Sequence, residues 1–437
     1  MPSQFLQDLC LFFALPDPKM DFNAEFISVF FSYTAQLSFE RARELLEKEK
    51  ELNRSPATKQ FSTLLANFIV AEKSYFELGF LSAKNKIFLR KDNSLRSMYD
   101  SLRIDLHRLE EGNGSESVIG VISNQLCQYL SARIQFIELY ERMYSVSTNN
   151  KHIRFDELSS QLATIADMHA YSFSDVLLSP IKASWSLECE ILKQLLAAQQ
   201  ELQNWLFVPA LSHLNTAHTH LVAWEKTFHS RESWKLAFGA SFLKGNSQPA
   251  LFQWLSKFKI ITVNKFSLYF YRILAQQTSL HELRTICSKH NIDYFHKFQS
   301  LQKRIDATSV MLVFDPRGLK NWNGPGYKFP LEDTEPRNDL LVIVHYPLKL
   351  YDKMATIEKI LSEKALELSC IEKVVTCFSS KEKYTFFMMS IDPRTTLVAL
   401  FDSKRDDRET LICNHMADFS TLLRFNRLFA NLKISKM

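Results

Sequence analysis

The chain has 437 residues, of which 46% are hydrophobic and 23% are charged. These globular values exclude a wholly disordered, collagen-like or low-complexity chain, because such chains bury too little apolar area to offset the entropy of ordering. The net charge of +5, from 53 basic and 48 acidic residues, is too small to indicate the concentrated basic face that nucleic-acid binding needs.

Glycine is scarce and phenylalanine is abundant, at 9 and 35 residues respectively. Tight turns and phosphate-binding loops depend on glycine, so its scarcity favours long helices and argues against a nucleotide-binding enzyme. The seven cysteines show no C-x-x-C spacing, which gives neither a disulfide framework nor a zinc site. We therefore expect the cysteines to be free thiols and the protein to lie in a reducing compartment.

Neither a targeting signal nor a membrane span is predicted. The N-terminus lacks a basic region before its apolar run, and Asp8 interrupts that run. The longest uncharged apolar stretch is residues 61–71, whereas a spanning helix needs about 20 residues. We therefore expect a cytoplasmic protein with no direct membrane insertion.

Apolar periodicity predicts helices through most of the first three hundred residues. Ser38 is placed to cap a helix over residues 39–52, and a second apolar run covers 61–81. Two later runs alternate spacings of three and four, which is typical of a bundle seam. The first comprises positions 119, 122, 126, 129, 133, 136, 140 and 143, and the second 181, 185, 188, 192, 195, 199, 202 and 206.

The second seam has a clear predicted start and end. Ser179 is expected to cap its helix with Pro180 at the first helical position, and Pro209 to end or kink it. Further helices are predicted over residues 211–228, 251–274 and 280–305.

The pattern changes after residue 306 to short β-branched and aromatic segments bounded by turn residues. They are SVMLVF (309–314), LLVIVHY (340–346), YTFFMMSI (384–391) and TTLVALF (395–401), and the last two are expected to form a hairpin. Helices are predicted over 355–368 and 411–432. The fold class is thus mainly α, an N-terminal antiparallel helical bundle followed by a C-terminal α+β domain with a small mixed sheet flanked by helices. The predicted domains are a divergent segment 1–24, a bundle 25–306 with an internal boundary near 150–178, and an α+β domain 307–437.

Residues 317–327, RGLKNWNGPGY, are the one stretch that approaches a phosphate loop, but they lack both common glycine motifs. Asp315-Pro316-Arg317-Gly318 instead fits a type I turn. The alternatives are a loop that contacts a partner and, less favoured, a ligand site. The predicted partner-contact residues are Arg317, Gly318, Trp322, Gly324, Gly326 and Tyr327.

No catalytic, cofactor-binding or metal-binding residue is predicted. His213, His218 and His220 have spacings that do not share a helical face, so they do not indicate a zinc site. The chain also lacks a recognisable nucleophile motif. We accordingly expect a non-enzymatic protein without a cofactor.

Collinear segments of the chain resemble one family, KICSTOR subunit 2. The longest is LLSPIKASWSLECEILKQLLAAQQELQNWLFVPALSHLNTAHTHLVAW, residues 177–224. Others include FFSYTAQLSFERARELLEKEKELNRS (30–55), QLCQYLSARIQFIELYERMYSVST (125–148), VMLVFDPRG (310–318) and TTLVALFDSKRDDRE (395–409). The resemblance covers about residues 25–435, whereas residues 1–24 and about 328–368 depart from the family's pattern, as in a divergent homologue.

The resemblance implies a role without a reaction. The family is a subunit of KICSTOR, a scaffold at the lysosomal membrane surface. KICSTOR recruits the GATOR complex, which stimulates GTP hydrolysis by Rag GTPases and so restrains TOR complex 1 when amino acids or glucose are scarce. The expected partners are therefore the other KICSTOR subunits and GATOR, with Rag GTPases reached indirectly and no nucleic acid.

The leading hypothesis is thus a scaffold subunit that presents bundle faces and a sheet edge or helix to partners. We expect the loop at 324–327 and the hairpin at 384–401 to lie near a partner, since edge strands invite pairing. The alternative is a GTPase-directed regulator or nucleotide-binding protein acting through the C-terminal α+β domain.

Overall fold

Helices precede a single sheet along the described part of the chain, in agreement with the predicted fold class. The fold is that of a computed structural model. It describes residues 24–51, 55–81, 94–114, 117–148, 152–228, 248–274, 285, 293–317, 340–347, 351–406 and 408–433.

The helices before the sheet have the following bounds. They are α1 (Ala24–Ala35), α2 (Phe39–Lys50), α3 (Pro56–Phe76), α4 (Leu95–Asn113), α5 (Val118–Thr148), α6 (Phe155–Met168), α7 (Ser179–Gln203), α8 (Phe207–Phe228), α9 (Ala250–Tyr269), α10 (Tyr271–Leu274) and α11 (Tyr294–Ile305). The sheet and its helices follow as β1 (Ser309–Phe314), β2 (Leu341–Pro347), α12 (Met354–Glu363), α13 (Ala365–Leu368), β3 (Val375–Ser379), β4 (Tyr384–Asp392), β5 (Thr395–Phe401), α14 (Thr410–Leu423) and α15 (Asn426–Ala430).

The predicted seams form the buried faces of α5 and α7. All eight seam positions of α5 are buried, and none is more than 7% exposed. In α7 the first seven positions are buried, whereas the eighth, Leu206, lies beyond the end of the helix and is half-buried. Spacing alone therefore identified which side of each helix is removed from water.

The ends of α7 differ from the prediction. A 3₁₀ turn at Val176–Leu178 leads into the helix, and the Asp175 Oδ1 caps that turn by accepting from the Leu177 N–H at 2.8 Å. Ser179 has helical backbone angles, φ −51° and ψ −36°, and is the first residue of α7 rather than its cap. Pro209 neither ends nor kinks α7, because it lies in the first turn of α8, where its missing N–H costs no hydrogen bond.

The chain forms two compact units whose segments interleave along the sequence. The first comprises Met1–Ile137, Ile165–Leu187 and Trp224–Gly245, and the second comprises Glu138–Thr164, Glu188–Ala223 and Asn246–Met437. The predicted domains 1–24, 25–306 and 307–437 stay predictions.

Aromatic side chains fill the core of the first unit. The Phe68 ring packs edge-on against Phe31 at 6.1 Å and Tyr129 at 5.8 Å between centroids. Tyr129 continues the series to Phe173 at 5.5 Å, and Phe173 to Trp185 at 5.4 Å. Edge-to-face geometry of this kind adds about 0.5–1.5 kcal/mol per pair to the burial of the rings.

The second unit contains a five-stranded sheet in the order β2-β1-β5-β4-β3. All four pairings are antiparallel, so the sheet that was predicted to be mixed contains no parallel pair within the described residues. The predicted β4–β5 hairpin is confirmed, but its strands lie inside the sheet with neighbours on both sides. The expectation that this hairpin offers a free edge is therefore wrong, since β2 and β3 form the edges.

Helices cover both faces of the sheet. Alternate residues of β1, β4 and β5 face a core that includes Phe298 of α11 and Phe419 of α14, with ring centroids 5.8 Å apart. The opposite residues face Ile357 and Ile360 of α12. A sheet buried on both faces explains why its strands are nearly continuous apolar runs rather than alternating ones.

Candidate functional site

The predicted partner-contact loop begins at a turn that leaves strand β1. The carboxylate of Asp315 accepts two hydrogen bonds from the Arg317 side chain, from Nε at 2.8 Å and from Nη2 at 2.6 Å. The Arg317 backbone N–H also donates to Asp315 Oδ1 at 3.0 Å, which makes an Asx turn. The turn is therefore fixed by its own side chains.

The hairpin between β4 and β5 braces this turn from the neighbouring strand. The Arg394 guanidinium donates to the Arg317 carbonyl at 2.6 Å, and the Asp315 N–H donates to the Arg394 carbonyl at 2.9 Å. A guanidinium bound to a carbonyl oxygen forms a stronger hydrogen bond than a neutral donor. The position of Arg317 is thus set by two strands rather than by the loop alone.

A cavity of about 420 Å³ opens beside the turn. Its apolar lining includes Val313, Leu340, Leu361 and Leu368, and its polar lining includes Asp315, Arg317, Ser362, Ser390, Arg394 and Thr396. The volume lies within the range of small-molecule and peptide side-chain pockets. The arrangement suits an apolar group with an attached acceptor near the two arginines.

Hydrogen bonds between the side chains of Asp315 and Arg317 keep both groups ionised. Burial alone would raise the pKa of the Asp315 carboxyl, but hydrogen bonds from Arg317 outweigh it and lower that pKa. The pKa of Arg317 is raised by the same hydrogen bonds. Both groups are therefore charged at neutral pH, and Arg317 enters any partner contact as a cation already bound to a carboxylate.

A buried polar centre fixes the other side of the hairpin. Asp392, the last residue of β4, forms an ion pair with Lys265 of α9, with 2.8 Å between Oδ2 and Nζ, and the two side chains are 1% and 0% exposed. The Tyr269 hydroxyl donates to Oδ2, and the Gln203 amide donates to Oδ1 at 3.1 Å. Burial alone would raise the pKa of Asp392, but Lys265 and these donors lower it.

Arg424 ties the same region to the helix pair α14–α15. Its Nη2 donates to the carbonyls of Ile371 and Ser390. Burial lowers the pKa of Arg424 to about 10, which leaves it charged at neutral pH. Because the Lys265–Asp392 pair is enclosed, we infer that it holds the β4–β5 hairpin in position rather than binding a ligand.

The first unit contains a second buried ion pair. The Glu72 carboxylate of α3 lies 3.2 Å from the Arg133 guanidinium of α5, and both side chains are 1% exposed. The hydroxyls of Tyr99 and Tyr129 donate to Glu72 at 2.6 and 2.7 Å. The guanidinium also lies over the Tyr75 ring at 4.2 Å. Arg133, the charged residue of the predicted α5 seam, is thus held by its ion pair, its hydrogen bonds and a cation–π contact.

Of the six predicted partner-contact residues, Arg317 is the one that the structure describes. Arg317 lies at the cavity, as described, whereas Gly318, Trp322, Gly324, Gly326 and Tyr327 lie outside the described residues. The predicted type I turn includes Gly318, so it extends outside the described residues and stays a prediction. His213 contacts Gln194 at 2.6 Å and His218 contacts Lys259 at 3.3 Å, so these two histidines have different partners.

Sequence reasoning missed Lys265, Tyr269 and Asp392. One signal was available, because Lys265 is the one charged residue in the second half of α9. Its partner could not be inferred, since Asp392 is the last residue of a strand more than a hundred residues later. Within the described ranges, no group of three or more His, Cys, Asp or Glu side chains could hold a metal ion.

Two further groups bear on the chemistry. Burial raises the pKa of the Cys127 thiol to about 11, so it is protonated and weakly nucleophilic at neutral pH. None of the helices in the part of the chain that the structure describes has the length and hydropathy required to cross a membrane.

Comparisons with known proteins match nearly the whole chain. A family model described as "KICSTOR complex C12orf66 like" matches residues 19–436. A Xenopus laevis protein named KICSTOR subunit 2 is 32% identical over 433 residues, covering 93% of this chain and 96% of the relative. A Danio rerio protein of the same name is 32% identical over 424 residues, covering 92% and 94%.

Proposed function

The chain belongs to the KICSTOR C12orf66-like family, and from this premise we propose that it is a scaffold subunit of a KICSTOR-like complex. In this role it binds other KICSTOR subunits and recruits GATOR to the lysosomal surface. It thereby restrains TOR complex 1 during amino-acid or glucose starvation. The observation that carries the proposal is the family match over residues 19–436.

The site geometry supports a binding role rather than a reaction. The charged groups nearest the cavity already have partners, because Arg317 is bound to Asp315 and Arg394 to two carbonyl oxygens. Groups held in this way keep their charge and position, as a binding surface requires, whereas a general acid or base needs a pKa near the working pH. We therefore propose that the protein is not an enzyme.

The loop that starts at Arg317 is the proposed contact of the α+β region with a partner. The fixed turn and the adjacent cavity would hold an apolar side chain of that partner. Trp322→Ala together with Tyr327→Ala should weaken recovery of the complex. Unchanged assembly of this double variant would remove the loop from the proposed interface.

Affinity purification of the tagged chain from its own cells tests the proposal. The cells are fed or starved, and the recovered proteins are identified by mass spectrometry. We expect the other KICSTOR subunits and GATOR components in both conditions. Recovery of the chain alone, or with unrelated partners, would mean that the family fold is kept without the role.

A further inference from the structure

A basic groove lies on the second unit, lined by residues of helices α11 and α14. We define the basic groove by its polar lining, which consists of His296, Lys297, Ser300, Arg304, His415, Asp418 and Arg427. Residues 296, 300 and 304 follow one another at four-residue spacing, so they line one face of α11.

The charge of the basic groove is largely uncompensated. Helix α11 has the sequence YFHKFQSLQKRI, which contains no acidic residue. Among the described residues that line the groove, Asp418 is the one acidic side chain, and it pairs with Arg427 at 3.1 Å. Lys297 and Arg304 make no ion pair with any residue of the chain that the structure describes. Among the described residues, Lys297 and Arg304 therefore face the groove without a counter-charge.

The shape of the groove limits what can occupy it. Its volume of about 180 Å³ is too small for a helix but holds one or two side chains. Its floor is apolar, because Leu301 and Phe419 lie there and each is 4% exposed. An apolar floor next to the cations lowers the local dielectric constant and so strengthens a charge-assisted hydrogen bond to an entering carboxylate.

We propose that the basic groove binds an acidic segment of a partner protein, with Asp or Glu side chains paired to Lys297 and Arg304. The proposal rests on the proposed scaffold function and names one surface and the chemistry of its partner. Charge complementarity of this kind sets the rate and specificity of association. It also makes the contact sensitive to salt.

Charge reversal in the full chain tests the proposal. The tagged double variant Lys297→Glu with Arg304→Glu is purified from cells beside the native chain. The matched control, Lys59→Glu with Lys257→Glu, changes the charge equally at two exposed lysines outside the groove. We expect the groove variant to lose at least about tenfold in recovery of one partner, and the control to lose little.

Zero-length cross-linking identifies the contact directly. A carbodiimide joins a lysine amine to a carboxylate only where the two touch, so the native complex should give a link from Lys297 to an Asp or Glu of that partner. The neutral variant Lys297→Gln with Arg304→Gln, which is less disruptive to the fold, should show an intermediate loss.

Several results would overturn the proposal. Equal recovery of every partner by the native chain and the groove variant, without a Lys297 cross-link, would remove the groove as a protein-binding site and leave the scaffold function intact. Loss of binding to phosphatidylserine vesicles with unchanged partners would assign the groove to lipid. A native chain that recovers no partner would overturn both proposals.

Discussion

At the scale of residues, the Glu72–Arg133 pair shows how a charge is kept inside the first unit. Removing two ions from water costs several kcal/mol each, and their attraction offsets this only if the remaining polar atoms are satisfied. Here Tyr99 and Tyr129 donate to the carboxylate, and the Arg133 Nε donates to the Tyr129 hydroxyl at 2.8 Å. Loss of either ion would leave its partner as an unpaired buried charge.

We therefore predict strong coupling between the two positions. Arg133→Met should lower the free energy of unfolding by about 3–5 kcal/mol, because Glu72 would stay buried without its cation. The double variant Arg133→Met with Glu72→Met should lose less than the sum of the single variants. Urea unfolding followed by circular dichroism measures each value, and additive losses would contradict the account.

Asp392 gives a prediction about pH. Its pKa is lowered in the folded chain, so its contribution to stability is fully present above the unfolded value of 3.8 and is lost as the pH falls through the lower folded value. Asp392→Asn should abolish this component and destabilise the chain at neutral pH by about 3 kcal/mol, because Lys265 stays buried. Melting temperatures between pH 7 and pH 3 test it, and a parallel decline in both proteins would refute it.

Sequence patterns predicted burial better than pairing. Spacing placed Arg133 and Glu188 on buried seams, and both are buried in the structure. Their partners were not predicted, because Glu72 lies 61 residues before Arg133 and Tyr140 lies 48 residues before Glu188. Periodicity reports the environment of one helix, whereas an ion pair depends on which helices pack together.

At the scale of elements, helix caps differ in a way that sequence alone does not show. The Ser55 hydroxyl accepts from the Thr58 N–H at 3.3 Å and caps α3. Ser38 stands at the same position before α2 but makes no such hydrogen bond. The sequence prediction identified Ser38 as a cap, although its backbone ψ of 57° does not have the extended value that Ser55 adopts.

This difference provides a matched pair of variants. Ser55→Ala should lower the free energy of unfolding by about 1 kcal/mol, because one N–H at the start of α3 loses its acceptor. Ser38→Ala should cost only a few tenths of that amount. The midpoints of urea unfolding compare them, and equal losses would show that the Ser55 hydrogen bond contributes nothing.

The strands of the sheet were predicted unequally well. Strands β1 and β5 have the predicted bounds, because their apolar β-branched residues are buried on both faces. Strand β3, Val375–Ser379, was missed because its short sequence VTCFS has only one fully buried residue and lies at an edge. The order that places β5 between β1 and β4 depends on long-range pairing, which a single sequence does not contain.

At the scale of the whole molecule, the two units are not consecutive segments of the chain. Helices α5, α6, α7 and α8 each contribute residues to both units. Truncation at residue 306 would therefore leave the second unit incomplete, because that unit comprises residues 138–164, 188–223 and 246–437. Tests of function belong on the full chain for this reason.

The proposed role of the chain is to link KICSTOR subunits to GATOR. The most direct measurement is affinity purification of a different KICSTOR subunit from starved cells with and without this chain, with GATOR quantified by mass spectrometry. We predict that GATOR is recovered when the native chain is present, lost in its absence and restored by re-expression. Equal recovery of GATOR without the chain would contradict the account.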